Sequence, residues 1–225
     1  MTLPDLVLQT AYGRLAWAVV MAAVILGWLP PALQRSWRAA AGLLCGLALL
    51  VLLPGQLSPA FWLAMAFHWP SGLLLGCCVL RLWQRLRPDR GLQAMPREFA
   101  AAVAGFGLVL YVDAMGLTSL GLYYWGFAPR GAPMMALAAA MLCGFAVMRG
   151  IMRPQAAAVL AALLLFSALR LPSGNLWDAL LDPLLWGWAV VSLGVQAWRR
   201  RAQRPAPATA PEMEVDAALV ARQGQ

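Results

Sequence analysis

The sequence predicts an all-α fold, a polytopic bundle of seven membrane-crossing helices, and three observations carry that prediction. The chain of 225 residues is 62% hydrophobic and only 12% charged, with a mean hydropathy of +0.71. Soluble domains run to about half apolar and about a quarter charged. A water-soluble body of this size would also have to cover its surface with polar groups that this chain lacks. Seven apolar stretches approach the ~20 residues that a bilayer crossing needs. The third observation is that the arginines fall between those stretches or near their ends.

The first stretch covers 11–29 and stops at Pro30-Pro31, with Arg14 near its start. Met-Thr-Leu-Pro-Asp at the N-terminus lacks the positive charge of a signal peptide, so this stretch is expected to be a retained span. The second covers 37–53 and ends at Pro54-Gly55. The third, 60–82, contains His68-Trp69-Pro70, and a proline inside a helix removes a hydrogen bond and clashes with the preceding turn. A kink or local unwinding is predicted there, with an interfacial helix followed by a shorter span as the alternative. The fourth runs from Glu98 to about Met115, with Asp113 near its far end. Residues 116–130 form the longest connection without a charge before its closing Arg130, and its Tyr123-Tyr124-Trp125 cluster suits the headgroup layer. The fifth and sixth stretches cover 132–148 and 155–169. The seventh follows the turn after Arg170 and ends in Arg199-Arg200-Arg201. If its helix begins only at Pro183, the run to Trp198 reaches about 24 Å, short of the ~30 Å hydrocarbon core.

With the N-terminus outside and the C-terminus inside, fourteen of the seventeen arginines lie on the cytoplasmic side, leaving Arg14, Arg130 and Arg170 outside. Basic cytoplasmic connections are what the positive-inside rule requires. Residues 1–201 therefore read as one seven-helix transmembrane domain. Residues 202–225, rich in Pro and Ala and then acidic, read as a disordered cytoplasmic tail.

Several chemistries are excluded. All seventeen basic residues are arginine, so neither a lysine Schiff base nor a phosphate-binding Gly-Lys-Ser/Thr loop is available. The net charge of +8 serves topology, and no nucleic-acid partner is expected. His68 is the only histidine, which rules out multi-histidine metal sites and bis-histidine haem. The four cysteines lie in apolar runs without a Cys-x-x-Cys motif. No metal and no cofactor are expected.

The candidate functional residues are the few polar groups near the outer face. Asp178 and Asp182 share a helical face if the helix is continuous, as a proton- or cation-handling pair would. Against this, Asn175-Leu-Trp-Asp178 has the spacing of an N-terminal cap with an acid at the third residue, and Asp182-Pro183 reads as a cap followed by a first-turn proline. The capping reading is preferred. Asp113 with Arg130 and Arg170 suggests an ion-paired clasp, or a sharper alternative, an anion pocket under the Tyr123-Tyr124-Trp125 cluster for a lipid phosphate. His68 fits a residue that bonds a carbonyl freed by the kink, or a proton relay. Gly42-x-x-x-Gly46 and Gly72-x-x-x-Gly76 provide small faces for close helix approach, expected to meet each other within the monomer.

The expected function is reached by subtraction: short connections, no soluble catalytic domain and no catalytic constellation. It is a non-enzymatic protein of the bacterial inner membrane that scaffolds or assists an envelope assembly or export system, with lipid and other membrane proteins as partners. A small transporter or lipid-handling protein is the first rival. The second is a membrane enzyme acting on a lipid-linked substrate through a carboxylate base and an arginine phosphate clamp. Both rivals require the candidate polar groups to converge.

Overall fold

The computed structural model describes residues 5–88 and 91–203, so the predicted tail lies outside the described residues from position 204 onward. Among the described residues the protein is all-helical, with eleven α-helices and no strand. They are α1 (Leu6–Trp28), α2 (Pro31–Gln34), α3 (Trp37–Val51), α4 (Pro59–Phe67), α5 (Gly72–Leu86), α6 (Arg97–Ala114), α7 (Leu122–Trp125), α8 (Gly131–Arg149), α9 (Arg153–Leu169), α10 (Leu176–Leu180) and α11 (Pro183–Ala202).

Each apolar stretch is helical, and local chemistry sets the ends. Asp5 caps α1 by accepting from the N–H groups of Val7 and Leu8, and α1 stops where Leu29 turns extended ahead of Pro30-Pro31. Ser36 caps α3 through the N–H of Ala39. The third stretch is broken as well as bent: α4 ends at Phe67, His68 takes φ +63°, and α5 starts at Gly72. Pro70 supplies the cause, since it donates no N–H and pushes Trp69 out of helical geometry.

Two helices, α1 and α8, are long and apolar enough to cross a membrane by length and composition, and α3 and α9 are apolar but shorter. The other predicted crossings fall below that mark for identifiable reasons. The break leaves α4 with nine residues. Charge sits within α5 at Arg81 and Arg85, and at the ends of α6 at Arg97, Glu98 and Asp113. The last helix begins at Pro183, so its apolar run to Trp198 keeps the short length of about 24 Å, and its 20 residues reach about 30 Å only by running through the three arginines to Ala202.

Packing forms a row. The first helix lies against α3 and α5, α5 against α9, and α9 against α8, while α6 and α11 pair and join through α5. Leu26, Cys77, Phe166 and Leu185 are fully buried at these contacts. The outer flanks remain apolar: Leu49 on α3, Leu142 on α8 and Leu164 on α9 are about 70% exposed. Apolar surface on that scale marks a face made for lipid or for another protein.

The glycine pairs do not meet as expected. A Cβ on Gly72 would lie 3.0 Å from the Ala162 Cβ, and one on Gly76 would lie 2.9 Å from the Ala158 Cβ, so this pair seats α5 on α9. A Cβ on Gly42 or Gly46 would meet nothing within 4 Å. The physical reason is the row order, in which α1 and not α5 is the neighbour of α3.

Candidate functional site

The unwound stretch 68–71 leaves backbone polar groups without helical partners, and buried groups of that kind must be satisfied. Neighbouring helices do so. The Trp17 indole donates to the His68 carbonyl at 3.2 Å, and the Tyr12 hydroxyl donates to the Pro70 carbonyl at 2.8 Å, both from α1. The Ser71 N–H donates to Asp182 Oδ2 at 2.8 Å. Asp182 Oδ1 accepts from the Leu185 N–H at 2.7 Å, which caps α11 ahead of Pro183. Ser71 in turn caps α5, its hydroxyl accepting from the Leu74 N–H at 3.0 Å. Two helix starts are thus latched to one another through a carboxylate that is 8% exposed.

A second network fastens the 116–130 connection. Asp113 Oδ1 accepts from the Thr118 hydroxyl at 2.9 Å and the Gly121 N–H at 3.0 Å, and Oδ2 accepts from the Tyr123 N–H at 3.0 Å. The Tyr123 hydroxyl then donates to Asp178 Oδ1 at 2.9 Å, and Ser173 donates to Asp178 Oδ2. Burial, with the Asp178 charge beside it, pushes the Tyr123 hydroxyl up to about 12. The Trp177 indole donates to the Leu122 carbonyl at 2.8 Å, and the Leu176 N–H to the Gly126 carbonyl at 3.1 Å. Gly126 permits this approach, since a Cβ there would lie 1.8 Å from Asn175 Oδ1.

Of the six candidate residues, Asp113 and Asp178 therefore share one network through Tyr123, and Asp182 belongs to the other. Asp178 and Asp182 do not share a continuous helix, because α10 ends at Leu180 and the chain is extended at Leu181 and Asp182. Asn175 does cap α10, through the Trp177 N–H at 3.0 Å, but Asp178 turns to Ser173 and Tyr123 instead of back to the cap. Arg130 is exposed at the start of α8. Arg170 lies with its guanidinium 5.0 Å from the Phe166 ring. Among the described residues neither arginine forms an ion pair with a carboxylate, so the clasp predicted for Asp113 is made of hydroxyls and N–H groups. His68 is exposed, and its part in the break is played by its carbonyl rather than its imidazole.

Sequence reasoning did not find Tyr12 and Ser71, and it placed Tyr123 in a headgroup-layer cluster rather than in the network it holds together. Ser71 alone left a signal, a serine just after a proline and just before an apolar run. The Tyr111 hydroxyl and Asn175 Nδ2 are buried without a hydrogen-bond partner, with the Tyr111 ring edge-on to Trp186 at 5.6 Å. Among the described residues no group of three or more His, Cys, Asp and Glu could hold a metal ion. The arrangement suits fixing helix ends and connections: the Ser173 and Thr118 hydroxyls donate to Asp178 and Asp113, carboxylates that also hold Tyr123 in place. In comparisons with family models, curated proteins and solved structures, the chain matches none of them.

Proposed function

We propose that the chain is a seven-crossing protein of the bacterial inner membrane, N-terminus outside and C-terminus inside. In this reading it acts without catalysis, as a scaffold or accessory subunit of an envelope assembly or export system. The observation that carries the non-catalytic part is the use of the three carboxylates. Asp113, Asp178 and Asp182 accept from backbone N–H groups and hydroxyls that fix helix ends and connections. Groups held in this way act as caps and clasps.

The membrane reading draws on the alternation of arginines and on the apolar flanks of α3, α8 and α9. The break in the third crossing is compatible with lipid because other helices satisfy its carbonyls. The scaffold reading draws on α8, whose packing within the chain is chiefly with α9.

A photo-crosslinking residue at Leu142, 71% exposed on α8, tests the scaffold reading in intact cells. A discrete protein adduct is expected, and the same residue at Leu47, buried on α3, is expected to give none. Lipid adducts alone at Leu142 would overturn the scaffold role.

A further inference from the structure

A groove of about 320 Å³ lies between α1, α5 and α11. Its walls are aliphatic over most of their length, with Val24, Leu74 and Leu184 among them, and Trp28 and Arg81 also line it. Arg81 is half-buried, and its guanidinium sits over the Trp188 ring at 5.3 Å. Among the described residues Arg81 has neither a carboxylate nor a hydrogen-bond acceptor. One turn further on, Arg85 is committed, donating to Gln34 Oε1 and to the Leu26 carbonyl. Like charges at i and i+4 repel, so the pair adds to the positive potential at this part of the groove. Among the described residues Asp182 forms no ion pair with Arg81; its oxygens accept from the Ser71 and Leu185 N–H groups.

We propose that this groove seats one anionic phospholipid, with an acyl chain along Val24, Leu74 and Leu184 and the phosphate on the free donors of Arg81. An apolar trough with a cation lacking an anion is complementary to an amphiphile. A free phosphate would leave the trough unused, and a zwitterionic lipid would bring its own cation to Arg81. Trp28, 85% exposed, stands where an indole settles at headgroup depth. The inference rests on the membrane placement proposed above, which puts Arg81 and Arg85 toward the cytoplasmic leaflet, where anionic lipids concentrate.

The test is native mass spectrometry of the detergent-purified full chain with phosphatidylglycerol or phosphatidylcholine. One phosphatidylglycerol should be retained, with a preference of about fivefold over phosphatidylcholine, the contribution expected of one interfacial arginine. Arg81→Gln should abolish the preference, while Arg97→Gln, an exposed arginine outside the groove, should keep it. Val24→Trp fills the groove and should release both lipids even if Arg81→Gln fails to fold. Glycerol phosphate should not displace the lipid. Equal retention of the two lipids, retention unchanged in Val24→Trp, or displacement by glycerol phosphate would each overturn the proposal. The assay is independent of orientation, so an inverted topology would fail the reading above without touching this result.

Discussion

A carboxylate that accepts from backbone N–H groups of two different helices does work that few side chains can replace. Asp182 does this for Ser71 and Leu185. Removing its oxygens in Asp182→Ala leaves two buried N–H groups unsatisfied, each at a cost of about 1–3 kcal/mol. Asp182→Ala should therefore lower the thermal midpoint in detergent strongly. Asp182→Asn keeps one acceptor oxygen and should fall between the two. Equal midpoints for all three proteins would remove Asp182 from the fold's supports. The cap on α11 was legible in the sequence because Asp-Pro at a helix start is local chemistry. Tyr123 donating to Asp178 was not, because the two are 55 positions apart and neither residue announces the other. The same limit produced the expectation that Asp113 would pair with arginine: equal numbers of opposite charges near one face say nothing about which acceptors and donors the loops will bring together.

Helix contacts follow from the size of what lies between them. The small face of α5 at Gly72 and Gly76 meets Ala162 and Ala158, so Gly76→Leu must push α5 from α9 or force side chains off their rotamers. A loss of about 1–3 kcal/mol is expected, read as a lower midpoint in detergent. Gly46→Leu, placed where a Cβ would meet nothing, should leave that midpoint unchanged. A similar loss in both would mean that α3 packs against something other than α1. The spacing of glycines revealed which helices carry small faces, but not which neighbours those faces meet, since neighbour order depends on how the helices are arranged in the row. The break between α4 and α5 was legible for the opposite reason. A proline acts on its own backbone and on the residue before it, wherever the helix lies.

At the scale of the whole molecule, helical content was legible throughout, because every apolar stretch folded as a helix. Crossing length was less so, since caps, prolines and arginines set where each helix ends, and those ends left α1 and α8 as the two that meet the full requirement. Orientation is decided by experiment in cells. Reporter fusions after Arg90 and after Arg153 should register as cytoplasmic, and a fusion near Thr118 as external; the reverse pattern would invert the assignment. The unwound stretch 68–71 carries a mechanical corollary. The His68 and Pro70 carbonyls are held by α1 and the Ser71 N–H by the start of α11, while the Ser71 hydroxyl and carbonyl accept from the first turn of α5. Translating α11 along its axis by a single turn would strip Ser71 of its acceptor while Tyr12 and Trp17 kept theirs. The start of α5 is therefore geared to the last helix, and the end of α4 to the first.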